Sequence, residues 1–196
     1  MKFASDIDID LADRARLLKL IQHVPASIVE ENRLSAHNTG IYATAIPVDP
    51  LTGRASIDYR AAEQRGYIKI DLLNLGVYGQ VKDPDHLDQL LATPAPWHRL
   101  QEREFVEQLI HIGRHYSTLQ AMPEPVDSIP RMAMFLAVIR PAKRHLLGLH
   151  WNQVAETVWQ QPQDTDIYWY KKSHSIAYAQ LVVLHMNLLN LSDQGN

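Results

Sequence analysis

SDIDIDLA, residues 5–12, alternates three aspartates with two isoleucines before it ends in Leu11 and Ala12. Side chains of a strand point alternately to its two faces. The pattern therefore predicts a strand with Ile7 and Ile9 toward a core and Asp6, Asp8 and Asp10 on the other face. Aspartate is disfavoured in strands, and like charges on one face repel. The run indicates either a solvated acidic edge strand or a face whose charge is compensated by a cation.

The residues that follow predict a small unit of strands and helices that ends near residue 80. Apolar residues at helical spacing predict a helix within 11–24, which Pro25 would end. Further strands are predicted over residues 39–49, 55–59 and 67–73. In the last of these, YIKIDLL, the alternation places Lys69 and Asp71 on one face. The unit therefore contains two strands that carry acidic side chains.

After residue 80 the apolar residues recur at helical spacing. Helices are predicted within residues 83–92, 101–116, 127–139, 151–160 and 173–191. His111 and His115 lie four residues apart, as in some zinc sites, but Gly113 interrupts the motif and no third ligand is evident. The surface of a helix is the favoured interpretation for this pair. The four tryptophans are expected mainly in core and interface packing rather than in base stacking.

Composition excludes several classes of protein. The chain has 196 residues, no cysteine and a formal net charge of −3. It therefore has no disulfide framework and no thiolate metal site, and any contact with nucleic acid must come from a local patch or a partner chain. No apolar run reaches the roughly 18 residues that span a bilayer, and the start, MKFASDIDID, lacks a signal-peptide core. We expect a soluble, cytoplasmic protein without a membrane partner.

Acidic side chains on two strands of one α/β unit are the arrangement that two-metal phosphoryl transfer requires. Carboxylates hold two divalent ions about 3.5–4 Å apart, and these ions activate a 3′-hydroxyl and stabilise the leaving group. Mg²⁺ prefers carboxylate, water and phosphate oxygens. A lysine on the same face, such as Lys69, would neutralise the charge of nucleotide phosphates.

Five segments resemble motifs of the bacterial C-family replicative DNA polymerases, the family of the DNA polymerase III alpha subunit. They occur in the order of the family and together extend over most of residues 4–190. The segments are SDIDIDLADR (5–14), RLSAHNTGIYAT (33–44), GYIKIDLLNLGV (66–77), MAMFLAVIRPAK (132–143) and YKKSHSIAYAQLVVLHMNLL (170–189).

The resemblance implies an α+β fold. Residues 1–80 would form a palm of the polymerase-β-like nucleotidyltransferase type, a small mixed sheet with helices, and residues 81–196 a helical fingers region. In the palm, Asp6, Asp8 and Asp71 would be the catalytic residues that hold two Mg²⁺ ions, with Asp10 less critical. The resemblance also implies substrate-binding residues, namely His37, Lys69, Arg140, Lys143, Lys172, Ser173 and His174. Its substrates would be a DNA primer-template and deoxynucleoside triphosphates.

The chain also departs from the family pattern. Residues 1–5, which precede the aspartate pair, do not match the glycine- and serine-rich loop that the family has there. Asp8 and Asp71 are too close in sequence for the thumb that the family places between them, and the turn at Arg140 is RPAK, without the usual glycine after the proline. We therefore expect a second polypeptide to supply the missing palm segment or thumb. The alternatives are a non-catalytic, polymerase-derived scaffold that binds nucleic acid or a replication protein, and a nucleotidyltransferase for another acceptor.

Overall fold

In a computed structural model of the chain, which describes residues 6–160, 170 and 172–194, four strands form one mixed sheet. The strands are β1 (Asp6–Leu11), β2 (Val24–Glu30), β3 (Arg33–Tyr42) and β4 (Lys69–Asn74). Their order in the sheet is β1-β4-β3-β2. β1 runs parallel to β4, whereas β3 is antiparallel to both β4 and β2. This mixed sheet with its helices confirms the predicted α+β class.

The chain divides into two compact units, Met1–Val81 and Lys82–Asn196. The first contains the sheet and the second is helical. The boundary after Val81 lies one residue from the predicted boundary, which was after residue 80. The assignment of these regions as palm and fingers remains a prediction.

The first unit differs from the sequence-based prediction around residues 11–30. The helix predicted within 11–24 is reduced to α1 (Arg14–Leu18), which buries no residue. Pro25 does not end a helix but lies in β2. A proline is tolerated in a strand at the edge of a sheet, and β2 has β3 as its neighbour on one side only. Ile7 and Ile9 are 49% and 39% exposed, so the prediction that they face a core was wrong.

The remainder of the first unit connects β3 to β4. The strand predicted over 39–49 is displaced toward the N-terminus and ends at Tyr42, while 55–59 makes only isolated bridges. Helix α2 (Tyr59–Gln64) begins after Asp58, whose carboxylate accepts from the backbone N–H of Arg60. That carboxylate also accepts from the backbone N–H of Val29 at 2.9 Å, which joins the start of α2 to β2. A 3-10 turn, Gly76–Gln80, follows β4.

The second unit consists of helices around a large apolar core. The helices are α3 (Pro84–Ala92), α4 (Arg103–Gln108), α5 (Tyr116–Gln120), α6 (Ile129–Val138), α7 (Trp151–Thr157) and α8 (Lys172–Gln194). Every residue from Met132 to Ile139 is buried, and α6 packs against α8. Trp151 lies in this core, and Trp97 and Trp159 pack against it, whereas Trp169 lies outside the described residues. In the part of the chain that the structure describes, no helix is long and apolar enough to cross a membrane.

Residues 101–116 are not the single helix that the sequence predicts. α4 ends at Gln108, and the chain turns before α5 begins at Tyr116. His111 has a φ of 64° in this turn, a left-handed conformation that a helix excludes. A side chain on Gly113 would place its Cβ 2.7 Å from the carbonyl oxygen of Glu107. His111 and His115 therefore do not lie on the surface of one helix, and that interpretation was wrong.

Candidate functional site

Asp8 and Asp71 are register partners on the adjacent parallel strands β1 and β4. Neighbouring strands lie about 4.7–4.9 Å apart, and paired residues point to the same face of the sheet. Asp8 is exposed and Asp71 is buried, so one carboxylate lies near solvent beside one that is largely shielded. The pairing of these two predicted acids was not readable from the sequence, because it depends on the strand register.

Asp71 is held by two hydrogen-bond donors from different strands. The Lys69 ammonium contacts its Oδ2, and the Thr39 hydroxyl of β3 donates to its Oδ1 at 2.7 Å. The Lys69 and Asp71 side chains are only 10% and 12% exposed. Breaking a shielded ion pair by removing one partner leaves an uncompensated charge, which destabilises a protein strongly. Lys69 therefore compensates the charge of Asp71 in this structure, on the face that the alternation predicted.

His37 lies beside this pair and accepts hydrogen bonds from the backbone. Its Nδ1 accepts from the N–H of Gly40 at 2.9 Å and from the N–H of Thr39 at 3.3 Å. Burial lowers the pKa of His37, and the charge of Lys69 lowers it further. Nδ1 is 3.8 Å from Asp71 Oδ1, too far for a hydrogen bond. His37 therefore acts in this geometry as a neutral ring that fixes the backbone of β3.

Gly40 allows the close packing around His37 and Lys69. It is the register partner of Asp71 on β3. A Cβ at this position would lie 2.9 Å from His37 Nδ1, 2.9 Å from Lys69 Cδ and 3.0 Å from the Cβ of Ala26. These separations are shorter than van der Waals contact, so a glycine is required for this arrangement.

The structure adds Thr39 and Tyr59 to the residues chosen from the sequence. The Tyr59 ring lies edge-on to His37, with centroids 5.2 Å apart, and the Lys69 ammonium lies 5.6 Å from its centroid. An ammonium near an aromatic face is attracted by the ring quadrupole. Neither residue has a local sequence signal, because both reach the site through strand pairing or from the start of α2.

Asp6 and Asp10 lie on either side of Asp8 in β1. Asp10 lies two residues beyond Asp8 on β1 and hydrogen-bonds with Tyr78. Burial raises the pKa of the Tyr78 hydroxyl, and the nearby Asp10 charge raises it further. The backbone of Asp6 pairs with that of Lys69, but its side chain lies outside the described residues. The predicted role of Asp6 remains a prediction.

The carboxylate oxygens of Asp8 and Asp71 are of the type that a hard divalent cation prefers as ligands. Asp8 and Asp71 supply carboxylate oxygens from adjacent strands, and Mg²⁺ is typically bound by one or two carboxylates, water and substrate phosphate. The described side chains include no group of three or more acids and histidines placed to hold a metal ion. Both Asp71 oxygens have partners in this structure, so a metal ion at Asp8 and Asp71 would have to displace Lys69 from Oδ2 and take further oxygens from outside this set.

In the second unit, two of the predicted cations lie beside aromatic rings. Arg140 precedes the 3-10 turn Pro141–Leu146, and its guanidinium lies 5.0 Å from the Tyr170 ring centroid. Its buried Nε has no hydrogen-bond partner among the described residues. The Lys172 ammonium lies 5.9 Å from the Trp159 ring centroid. Lys172 and Ser173 are exposed and His174 is half-buried in the first turn of α8.

Lys143 contacts backbone carbonyl oxygens, whereas the sequence predicts a phosphate contact for it. Its ammonium donates to the carbonyl oxygens of Thr157 at 2.9 Å and Gln160 at 2.7 Å, at the C-terminal end of α7. Burial lowers the pKa of Lys143. A cation at a helix C-terminus interacts favourably with the last carbonyls. The geometry thus gives Lys143 a role in holding α7, and a phosphate contact remains only a prediction.

Searches of protein-family models, curated proteins and solved structures find no match to this chain.

Proposed function

We propose that the chain is a nucleotidyltransferase subunit whose first unit is a shortened palm of the C-family DNA polymerase type, with a polymerase-β-like fold. In the proposed reaction, the 3′-oxygen of a DNA primer attacks the α-phosphorus of a deoxynucleoside triphosphate. The bond to the β-phosphate oxygen breaks, pyrophosphate leaves, and the hydroxyl proton passes to solvent. The observation that supports this proposal most directly is the register pairing of Asp8 with Asp71.

The residues of the first unit have distinct roles in this proposal. Asp8 and Asp71, with Asp6, would hold Mg²⁺, which when bound supplies activation of the hydroxyl and compensation of phosphate charge. Lys69 is an ammonium beside the acid pair, available to a triphosphate once a metal compensates Asp71. In the second unit, considered by itself, Arg140 and Lys172 are proposed phosphate-binding cations. A second polypeptide would supply the remaining palm or thumb, in the cytoplasm.

The test is binding of Mn²⁺ or Mg²⁺ by titration calorimetry, with and without a deoxynucleoside triphosphate, followed by primer extension. Asp8→Asn and Asp71→Asn remove one charge each and should abolish metal-dependent triphosphate binding, because both ligands are needed. Asp88→Asn is the matched control, since Asp88 is an exposed acid of α3. Metal-dependent binding by the Asp71→Asn variant at the wild-type affinity would refute the proposed site.

A non-catalytic scaffold is the second candidate, and the Lys69–Asp71 ion pair favours it. Because Lys69 already compensates the shielded carboxylate, the fold has no need of a metal ion to tolerate Asp71. A scaffold would bind its nucleic acid or replication partner equally well in wild type and in Asp8→Asn. An enzyme would lose metal-dependent triphosphate binding in that variant while its melting temperature stays the same.

A further inference from the structure

The Asp71 carboxylate is oriented by a residue outside the acid set. Thr39 Oγ1 donates to Oδ1 at 2.7 Å, and the Lys69 ammonium contacts Oδ2. We infer that Thr39 is the positioning residue of the candidate metal site, whose hydroxyl fixes the Asp71 carboxylate toward the face that it shares with Asp8. This inference rests on the proposed function, because it concerns the same acid pair.

Thr39 is itself held in place by the backbone around it. His37 Nδ1 accepts from the N–H groups of both Thr39 and Gly40, so the Thr39 main chain is tied to a partly buried ring. Gly40 pairs directly with Asp71, which sets β3 in register with β4. Thr39 lies in the irregular part of β3 between Ala36 and Ile41, and its main chain there is held by the His37 ring and by the pairing of Gly40 with Asp71. A donor whose main chain is fixed in this way positions its partner more accurately.

The two oxygens of Asp71 have different partners, and this difference defines the role of Thr39. Oδ1 is hydrogen-bonded to a neutral hydroxyl, whereas Oδ2 contacts a cation, which in this structure is the Lys69 ammonium. A metal ion that took the place of that ammonium at Oδ2 would leave Oδ1 available to the Thr39 hydroxyl. Hydrogen bonds to metal-ligating carboxylates typically affect metal affinity by about 10- to 100-fold. By this inference, Thr39 would hold the carboxylate in the same orientation whether Oδ2 contacts Lys69 or a metal ion.

The experiment compares Thr39→Val, which has the same shape but no hydroxyl, with Thr39→Ser, which keeps the donor. Titration calorimetry with Mn²⁺ measures affinity in the full chain, and thermal unfolding of the same samples measures stability. We expect Thr39→Val to weaken Mn²⁺ binding by about 10- to 100-fold and Thr39→Ser to stay within about threefold of wild type. Thr52→Val is a matched control, because Thr52 Oγ1 donates to another aspartate, Asp49, at 2.9 Å.

The outcomes separate this inference from the proposed function. Equal Mn²⁺ affinity of wild type and a folded Thr39→Val protein would overturn the role of Thr39 and leave the acid pair as a metal site. An equal loss in Thr39→Val and Thr52→Val would also overturn it, because the effect would not depend on contact with Asp71. Absence of Mn²⁺ binding in wild type would overturn the proposed metal site and this inference together. A lower melting temperature with unchanged affinity would assign Thr39 a purely structural role.

Discussion

The two units of the chain have apolar clusters of very different size. The core cluster of the second unit is large and apolar, and it includes every residue of α6 from Met132 to Val138. The corresponding cluster in the first unit is small and includes three alanines; its members are Ala26, Tyr42, Ile46, Ala55 and Ala62. Beside that cluster the first unit buries the Lys69–Asp71 pair. The first unit therefore has less apolar volume in its cluster than the second, and it places a buried ion pair and a closely packed glycine on adjacent strands.

The largest effect is expected in the second unit from Phe135→Ala. Phe135 is fully buried in α6, so its truncation leaves a cavity and should lower the free energy of unfolding by about 3–5 kcal/mol. All four tryptophans lie in this unit, so their fluorescence during urea unfolding reports on it. Phe135→Leu, which keeps most of the volume, should lose less than about 1.5 kcal/mol. Similar losses in both variants would contradict a close-packed core here.

In the first unit, the corresponding test adds volume instead of removing it. Gly40→Ala would place a methyl group 2.9 Å from His37 Nδ1, so it should destabilise the unit by about 1–3 kcal/mol. Hydrogen exchange of peptides from β3 and β4 measures the effect in this unit. Gly79→Ala is the matched control, because its Cβ would meet nothing within 4 Å. Equal protection in the two variants would show that the packing around His37 is loose.

The contrast between the units also explains what the sequence could predict. The helices α3, α6, α7 and α8 were predicted close to their observed positions, because apolar residues at helical spacing coincide with buried positions. The alternation at Asp8 and Asp71 correctly indicated two strands with acids on one face. Both signals are local, since each depends on residues a few positions apart.

Features that depend on distant residues were not predicted. Pro25 was interpreted as a helix stop. Its place in an edge strand depends on pairing with Ile41 of β3, which no neighbouring residue signals. The contact of Thr39 with Asp71 joins residues that are 32 positions apart. The turn at His111 likewise depends on α8, where the buried His185 accepts from the backbone N–H of Ile110 at 3.1 Å. A single sequence carries no local signal for these contacts.

Acidification should weaken the second unit through this turn. Burial lowers the pKa of His111 to about 4, with the Arg140 charge contributing, and burial also lowers the pKa of His185. The unfolded chain therefore takes up protons first, and stability present above pH 6.5 is lost as the pH falls toward 4. Because solvent screens partly exposed groups, we expect a loss of about 1–2 kcal/mol between pH 7 and pH 4.5.

The check on this pH dependence is urea unfolding followed by tryptophan fluorescence at several pH values. His111→Asn should flatten the dependence, because asparagine tolerates the φ of 64° and does not titrate. His98→Asn, at an exposed histidine, should leave it unchanged. If His111→Asn unfolds with the pH dependence of wild type, the turn does not contribute to acid sensitivity.

The smallest effect is expected at the outer strand of the first unit. Ile9 and Leu72 are register partners on neighbouring strands, yet Ile9 is 39% exposed and Leu72 is 1% exposed. Ile9→Thr should change stability by less than about 0.5 kcal/mol, whereas Leu72→Ala should lose about 2–5 kcal/mol. Hydrogen exchange in β4 measures both. Surface substitutions rarely lower the free energy of unfolding by more than about 0.5 kcal/mol. A loss above about 1.5 kcal/mol for Ile9→Thr would therefore mean that Ile9 is covered in solution. Dependence of that loss on protein concentration would then identify a second copy as the cover.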